Sequence, residues 1–170
     1  MYCCYYQSPI GKLTIMGSDE EICGIWLEKQ KHFPATLPEY VLPTEKPRSL
    51  FLACRWLDAY FSREKPDASA VSLRPQGSTF QLSVWKHLCN IPYGHTITYG
   101  QLANIIASEL GVAKMSAQAI GGAVGRNPIS ILIPCHRVVG AHGQLTGYAG
   151  GITNKQWLLE HECLCKNQSG

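Results

Sequence analysis

Apolar and polar residues alternate through the first part of the chain in three runs, residues 2–7, 10–16 and 22–27. Ser8-Pro9 separates the first two, and the acidic turn Ser18-Asp19-Glu20-Glu21 separates the last two. Period-two alternation bounded by turn residues predicts strands, so a small antiparallel sheet is expected here. Residues 31–47 hold Pro34, Pro38, Pro43 and Pro47, a density that neither a helix nor an inner strand tolerates, which predicts a surface excursion. In residues 50–61 the pattern changes period: Leu50, Cys54, Leu57 and Phe61 form one stripe of a helix that can cover the sheet. The polar stretch 65–77, with Pro66, Pro75 and Gly77, predicts a boundary between residues 1–77 and 78–170.

Beyond that boundary the pattern is helical. Ser78 with Gln81, Thr98 with Gln101 and Thr153 with Gln156 each place a hydroxyl three residues before a glutamine, the capping box that satisfies two orphan backbone donors at a helix start. Residues 113–125 add a short helix, with Ala117, Ile120, Gly121 and Val124 on one face. Two short helices, residues 99–110 and 115–125, joined by a turn at Gly111, fit either an ordinary helical hairpin or a helix-turn-helix. The outward face of the second carries Gln118, Ala119, Gly122 and Gly125, with Arg126 at its end. So bare a face permits close approach to a nucleic-acid backbone but supplies few groups to read base edges, so weak sequence preference is expected. Asn127-Pro128 stops the helix, and residues 129–133 predict a short apolar strand ending at Pro134.

Composition narrows the class. The chain has 170 residues, 45% hydrophobic and 16% charged, with a net charge of +3. Residues 1–79 are electrically balanced, so residues 80–170 carry the whole excess. That suits a polyanionic partner without being the charge of a strongly basic domain. No apolar run is long enough to span a membrane and the N-terminus lacks a signal-peptide pattern, so a soluble, unexported, cytoplasmic protein is expected. The eight cysteines lie within apolar segments and predict reduced thiols rather than a disulfide framework. No CxxC occurs, which leaves Cys163-Leu164-Cys165 as a faint redox or metal signal.

One thiol has unusual company. In Ile131-Leu132-Ile133-Pro134-Cys135-His136-Arg137-Val138-Val139-Gly140, Cys135 follows an apolar run, and His136, Arg137, His161 and Glu162 are the groups available to lower its pKa. Neighbours in an extended chain point to opposite faces, so His136 serves Cys135 only if the backbone turns. From these residues alone, an inert buried cysteine and a reactive one both remain open.

This segment, together with Asn127-Pro128, resembles the signature of the O6-alkylguanine-DNA alkyltransferases. The resemblance extends through Tyr148-Ala149-Gly150-Gly151 and residues 155–162, back to residues 99–103 and 120–123, and to Ser8-Pro9-Ile10-Gly11-Lys12-Leu13. It thus covers nearly the whole chain. It implies an α+β fold: a small ribonuclease H-like domain with a three-stranded antiparallel sheet, then a mostly helical, winged-helix-like domain with a helix-turn-helix. It also implies DNA repair in which an alkyl group on O6 of guanine, or O4 of thymine, moves irreversibly to Cys135 after the nucleotide is flipped out of duplex DNA. In that scheme His136 relays the thiol proton through a water toward Glu162, Tyr99 meets the 3′ phosphate and gives a proton to the departing guanine, and Asn127 holds the reactive segment. Tyr148, the Ala149 amide and Gly150 form the pocket loop. The Val138 and Cys135 carbonyls accept from the base amine. Gln118, Ala119, Arg126 and Arg137 meet DNA. Gln118 stands where many members insert an arginine into the base stack, and it brings neither charge nor a guanidinium plane. Some relatives bind zinc through N-terminal Cys and His, but Cys3, Cys4, Cys23 and His32 do not match that set, so neither metal nor cofactor is expected, and the protein is expected to act as a monomer. Family signatures of cysteine hydrolases are absent. The resemblance also admits a lesion-binding module without the nucleophile, against which Cys135 stands.

Overall fold

The computed structural model describes residues 1–164, and the chain divides into two compact units, Met1–Gln76 with Pro128–Leu132 and Gly77–Asn127 with the chain from Ile133 on. Cys165 of the Cys163-Leu164-Cys165 motif lies outside the described residues.

In the first unit, strands β1 (Tyr2–Ser8), β2 (Gly11–Gly17) and β3 (Ile22–Leu27) pair antiparallel in sequence order. Each strand starts and ends within a residue or so of the alternating runs, because turn residues bound each one. Helix α1 (Arg48–Phe61) buries Leu50, Ala53, Cys54, Leu57 and Tyr60 on its inner face. The proline-rich segment does more than skirt the surface. Phe33, Leu37 and Tyr40 pack on the buried cluster of Cys3, Met16 and Trp26, and Val41 exchanges backbone hydrogen bonds with Met1 and Cys3 along β1. That contact occupies donors and acceptors that an edge strand would otherwise leave open.

In the second unit, α2 (Thr79–Leu88) and α3 (Tyr99–Leu110) begin with complete capping boxes at Ser78/Gln81 and Thr98/Gln101. Helix α3 ends at Gly111, whose φ of 66° is the left-handed C-cap that glycine adopts without penalty. Helix α4 (Ala117–Gly125) follows, capped by Ser116, whose side chain accepts from the Gln118 and Ala119 amides. It begins two residues later than residue 115 because Ser116 takes the cap. Buried Trp85 of α2 donates from Nε1 to the Ala123 carbonyl at 2.9 Å, fixing α2 against α4. Gly77 leaves room for it, since a Cβ there would lie 2.6 Å from the Trp85 ring. A two-residue parallel pair, β4 (Ile97–Thr98) with β5 (Val138–Val139), and helix α5 (Ile152–Leu164) complete the unit. Helix α5 already includes Ile152, so Thr153 lies inside it and the third expected capping box does not set its start.

The strand expected at residues 129–133 does not form. Ile129 makes a single bridge to Ile25, after which the backbone spends its hydrogen bonds on tight turns, Leu132 N–H to the Ser130 carbonyl and Cys135 N–H to the Ile133 carbonyl. Ile131 adopts φ 73°, a left-handed conformation that is strained for a β-branched residue. Apolar burial without alternation had suggested a strand; the chain instead buries those side chains through consecutive turns.

Candidate active site

Cys135 opens a short 3₁₀ turn, Cys135–Arg137, that follows Pro134. The backbone therefore turns at His136 rather than running extended, and Cys135, His136 and Arg137 are all buried. Behind it runs α5, whose inward stripe carries Lys155, Leu158, His161 and Glu162. Two charges on a buried stripe demand partners, and both have them.

Glu162 is the centre of a dense polar knot. Its Oε1 accepts from His136 Nε2 at 2.7 Å and from Arg137 Nη2 at 3.0 Å. Its Oε2 accepts from Arg137 Nε at 2.9 Å and from the Gly94 amide at 3.0 Å. Burial alone would raise this carboxyl, but the hydrogen bonds and charge of His136 and Arg137 hold it far below the carboxylate range. An ionised carboxylate only accepts, so the imidazole proton sits on Nε2 and Nδ1 is the basic nitrogen. Burial, more than anything else, pushes the His136 pKa down despite Glu162; the positive charge in the knot is the Arg137 guanidinium. Among the described residues, His136 Nδ1 and Tyr148 Oη are the buried side-chain polar atoms with no hydrogen-bond partner.

The thiol itself is 5% exposed, and burial raises its pKa above the ordinary cysteine value. Opposing that rise are a hydrogen bond from Asn127, the charge of Lys155, and backbone amides of the turn itself. Asn127 also donates from Nδ2 to the Ile133 carbonyl at 2.8 Å, so one side chain grips the segment on both sides of Pro134. One 3₁₀ turn thus carries a buried thiol raised above its ordinary value and a buried imidazole lowered below its own.

The loop after β5 forms the other wall. Tyr99, at the start of α3, donates its hydroxyl to the Thr146 and Gly147 carbonyls at 3.2 and 3.3 Å. Burial, with a smaller contribution from Cys135, pushes its phenol up to about 12, so it keeps its proton at neutral pH. Tyr148, Ala149 and Gly150 follow in a turn closed by Gly151 N–H to the Tyr148 carbonyl and pinned by Asn154 Nδ2 on the Gly150 carbonyl at 2.8 Å. Tyr148 as a whole is half-buried, yet its Oη is enclosed. Along α4, exposed Gln118, Ala119 and Arg126 border a groove floored by Gly122 and flanked by Phe80.

Two placements differ from expectation. Arg137 does not present its guanidinium outward: besides Glu162, Nη1 donates to the Ile91 carbonyl at 2.6 Å and the group lies 5.6 Å from the Tyr93 ring centre, so it supports the knot rather than the groove. The Val138 carbonyl, expected to face a base amine, already accepts from Lys155 Nζ at 2.5 Å.

Lys155 and Gly94 were not legible as site residues. Lys155 is fully buried and donates also to the Thr146 and Gly147 carbonyls at 3.0 and 3.4 Å, the pair that Tyr99 holds. Burial, partly offset by Cys135, brings its pKa down to about 8. Its signal was its spacing from Glu162, seven residues apart on the stripe that carries Leu158. Gly94 acts through a backbone amide, which residue type cannot reveal.

Two family descriptions match this chain: the ribonuclease-like domain of 6-O-methylguanine DNA methyltransferase over residues 1–75, and that family's DNA-binding domain over residues 79–164. The methylated-DNA–protein-cysteine methyltransferase of Methanosarcina acetivorans is 42% identical, the match covering 97% of this chain and all of that protein. The Haemophilus influenzae protein of the same name is 40% identical over 95% of this chain and 86% of its own length. A crystal structure of Mycobacterium tuberculosis OGT in complex with DNA superimposes with a TM-score of 0.83 at 38% identity, covering 97% of this chain and 94% of that one.

Proposed function

The chain belongs to the 6-O-methylguanine DNA methyltransferase family, and from that membership we propose that Cys135 accepts the alkyl group of O6-alkylguanine in duplex DNA and keeps it. The relatives' shared name gives methylated DNA as the donor and a protein cysteine as the acceptor. The observation that carries the assignment to Cys135 is the buried thiol, on one turn with an imidazole whose Nε2 is bound to Glu162 and whose Nδ1 is unclaimed.

The reaction is a displacement at carbon. The sulfur–carbon bond forms as the carbon–O6 bond breaks, His136 Nδ1 takes the thiol proton directly or through a water, and the departing guanine receives a proton from the Tyr99 hydroxyl. The Tyr99 phenolate then regains the proton held by His136, so on balance the thiol proton ends on guanine and both side chains return to their neutral forms. Glu162 stabilises the transient imidazolium, and Arg137 with the Gly94 amide keeps Glu162 in place. The Tyr148 hydroxyl and the 148–151 turn supply the groups that read the flipped base, with Tyr148 Oη free to bond to it. Gln118, Ala119 and Arg126 line the groove through which α4 meets the duplex. A thioether has no easily expelled oxygen or nitrogen, so the site is not reset and each molecule acts once. Work on DNA places the protein in the cytoplasm of a prokaryote or the nucleus of a eukaryote. No helix among the described residues is long and apolar enough to cross a membrane.

Titrating the protein against a duplex with one O6-methylguanine, then counting restored guanine after digestion of the DNA, tests this reading. One guanine restored per protein molecule, with no further turnover, is expected; continued turnover contradicts it.

A further inference from the structure

The thiols of the first unit take no part in that chemistry, and two of them lie together beside a cation. Cys3 packs with Met16 and Trp26 on one face of the sheet, and strand alternation sends Cys4 to the other face. On that same face, two residues further along β1, Tyr6 donates its hydroxyl to Asp58 Oδ1 of α1 at 2.8 Å. Two strand residues advance about 7 Å and four helical residues about 6 Å, so one step back from the Tyr6–Asp58 pair brings Cys4 against Cys54. Cys4 and Cys54 are near enough that each shifts the other's ionisation. Lys46, exposed on the segment leading into α1, donates from Nζ to Cys54 Sγ at 3.6 Å. The titratable groups facing Cys54 are therefore Cys4 and Tyr6 from β1, Asp58 from α1 and Lys46 from the incoming segment. Cys4 first, and then Lys46, outweigh burial and the opposing Asp58 charge, bringing Cys54 down to about 7. Cys54 in turn, with burial, pushes Cys4 up.

We propose that Cys4 and Cys54 form a peroxide-responsive dithiol, with Cys54 as the attacking thiolate and Cys4 as the resolving thiol. The oxidant is a hydroperoxide. The Cys54 thiolate attacks one peroxide oxygen, the O–O bond breaks, and with hydrogen peroxide the hydroxide released takes up the proton that the thiol had lost, giving Cys54 sulfenic acid and water. Cys4 sulfur then attacks the Cys54 sulfur, the S–O bond breaks, and a second water leaves with the Cys4 proton, closing a disulfide. The two thiols are oxidised and the peroxide is reduced. Lys46 speeds the first step by favouring the thiolate, and the packing of β1 on α1, one step along from the Tyr6–Asp58 pair, places Cys4 for the second. Partial burial, 7% exposure at Cys54 and 8% at Cys4, admits a small peroxide and slows larger disulfide reagents.

The test exposes the full-length reduced protein to hydrogen peroxide at neutral pH. Loss of two hydrogens, recovery on treatment with dithiothreitol, and a digest fragment linking Cys4 to Cys54 are expected. In Cys4→Ser, Cys54 is expected to remain a sulfenic acid that dimedone captures. Lys46→Met alters only an exposed side chain and so keeps the test open if Cys4→Ser disturbs packing; it is expected to slow oxidation about tenfold at neutral pH, the difference fading in alkaline buffer where the thiol ionises unaided. Fragments linking other cysteine pairs, oxidation of Cys54 no faster than that of Cys23, or an unchanged rate in Lys46→Met would each overturn the proposal. Alkyl transfer is measured separately at Cys135, so failure here leaves that reading untouched.

Discussion

Burial raises the Cys135 thiol and lowers His136, so in the proposed reaction the rate of attack would depend on proton removal in step with bond formation. His136→Gln keeps a side chain able to donate to Glu162 but has no basic nitrogen. We expect alkyl transfer to slow by roughly 10²–10⁴-fold, the usual contribution of a positioned base, in single-turnover kinetics with alkylated duplex; an unchanged rate contradicts the role. The sequence singles out both Cys135 and His136, but not the 3₁₀ turn that carries them, because a short apolar run ending in proline reads as an extended segment. The residues alone offer Glu162 only as one of several charged groups that could act on Cys135; its link to His136 comes from the family resemblance, since in a helix it otherwise reads as a solvated charge. The resemblance implies that Arg137 meets DNA, whereas in the structure the buried Glu162 carboxylate takes its guanidinium.

Among elements, the helices whose capping boxes stand at Ser78 and Thr98 start as expected, since capping is written in residues three apart and needs no tertiary context. The segment at residues 129–133 was not legible for the opposite reason: its turns are stabilised by burial of Ile129, Ile131, Leu132 and Ile133, and nothing in an isoleucine announces a positive φ. Helix α4 is the element through which the DNA assignment is most easily tested. Its groove-facing Gln118 supplies length and hydrogen bonds but no charge. Gln118→Arg is expected to tighten binding to alkylated duplex several-fold and to steepen the dependence of log affinity on log salt by about one contact, a slope change near 0.9. Fluorescence anisotropy across a salt series reads both, and equal slopes for the two proteins would remove Gln118 from the interface.

For the molecule as a whole, the net charge of +3 is confined to residues 80–170, the part that carries α4 and the candidate site. Stability should also depend on acid through that site. The His136 pKa lies below its ordinary value of 6.5 in the folded state, so between that lowered value and about 6.5 the unfolded chain binds the extra proton. Folding stability therefore falls as pH drops through this window. Glu162, held below its ordinary 4.5, adds a further loss with the same sign at lower pH. Urea midpoints at pH 7.5, 6 and 5 should decline, and His136→Gln should flatten the upper part of that decline; a midpoint rising toward pH 5 would contradict the neutral buried imidazole. All of this rests on one sulfur being the acceptor. The most direct measurement is intact and peptide mass spectrometry after incubation with duplex DNA bearing O6-methylguanine. The account predicts one methyl group replacing one hydrogen, located on Cys135 and absent from Cys135→Ser; the same gain in Cys135→Ser, or a methyl mapped to another residue, would contradict it.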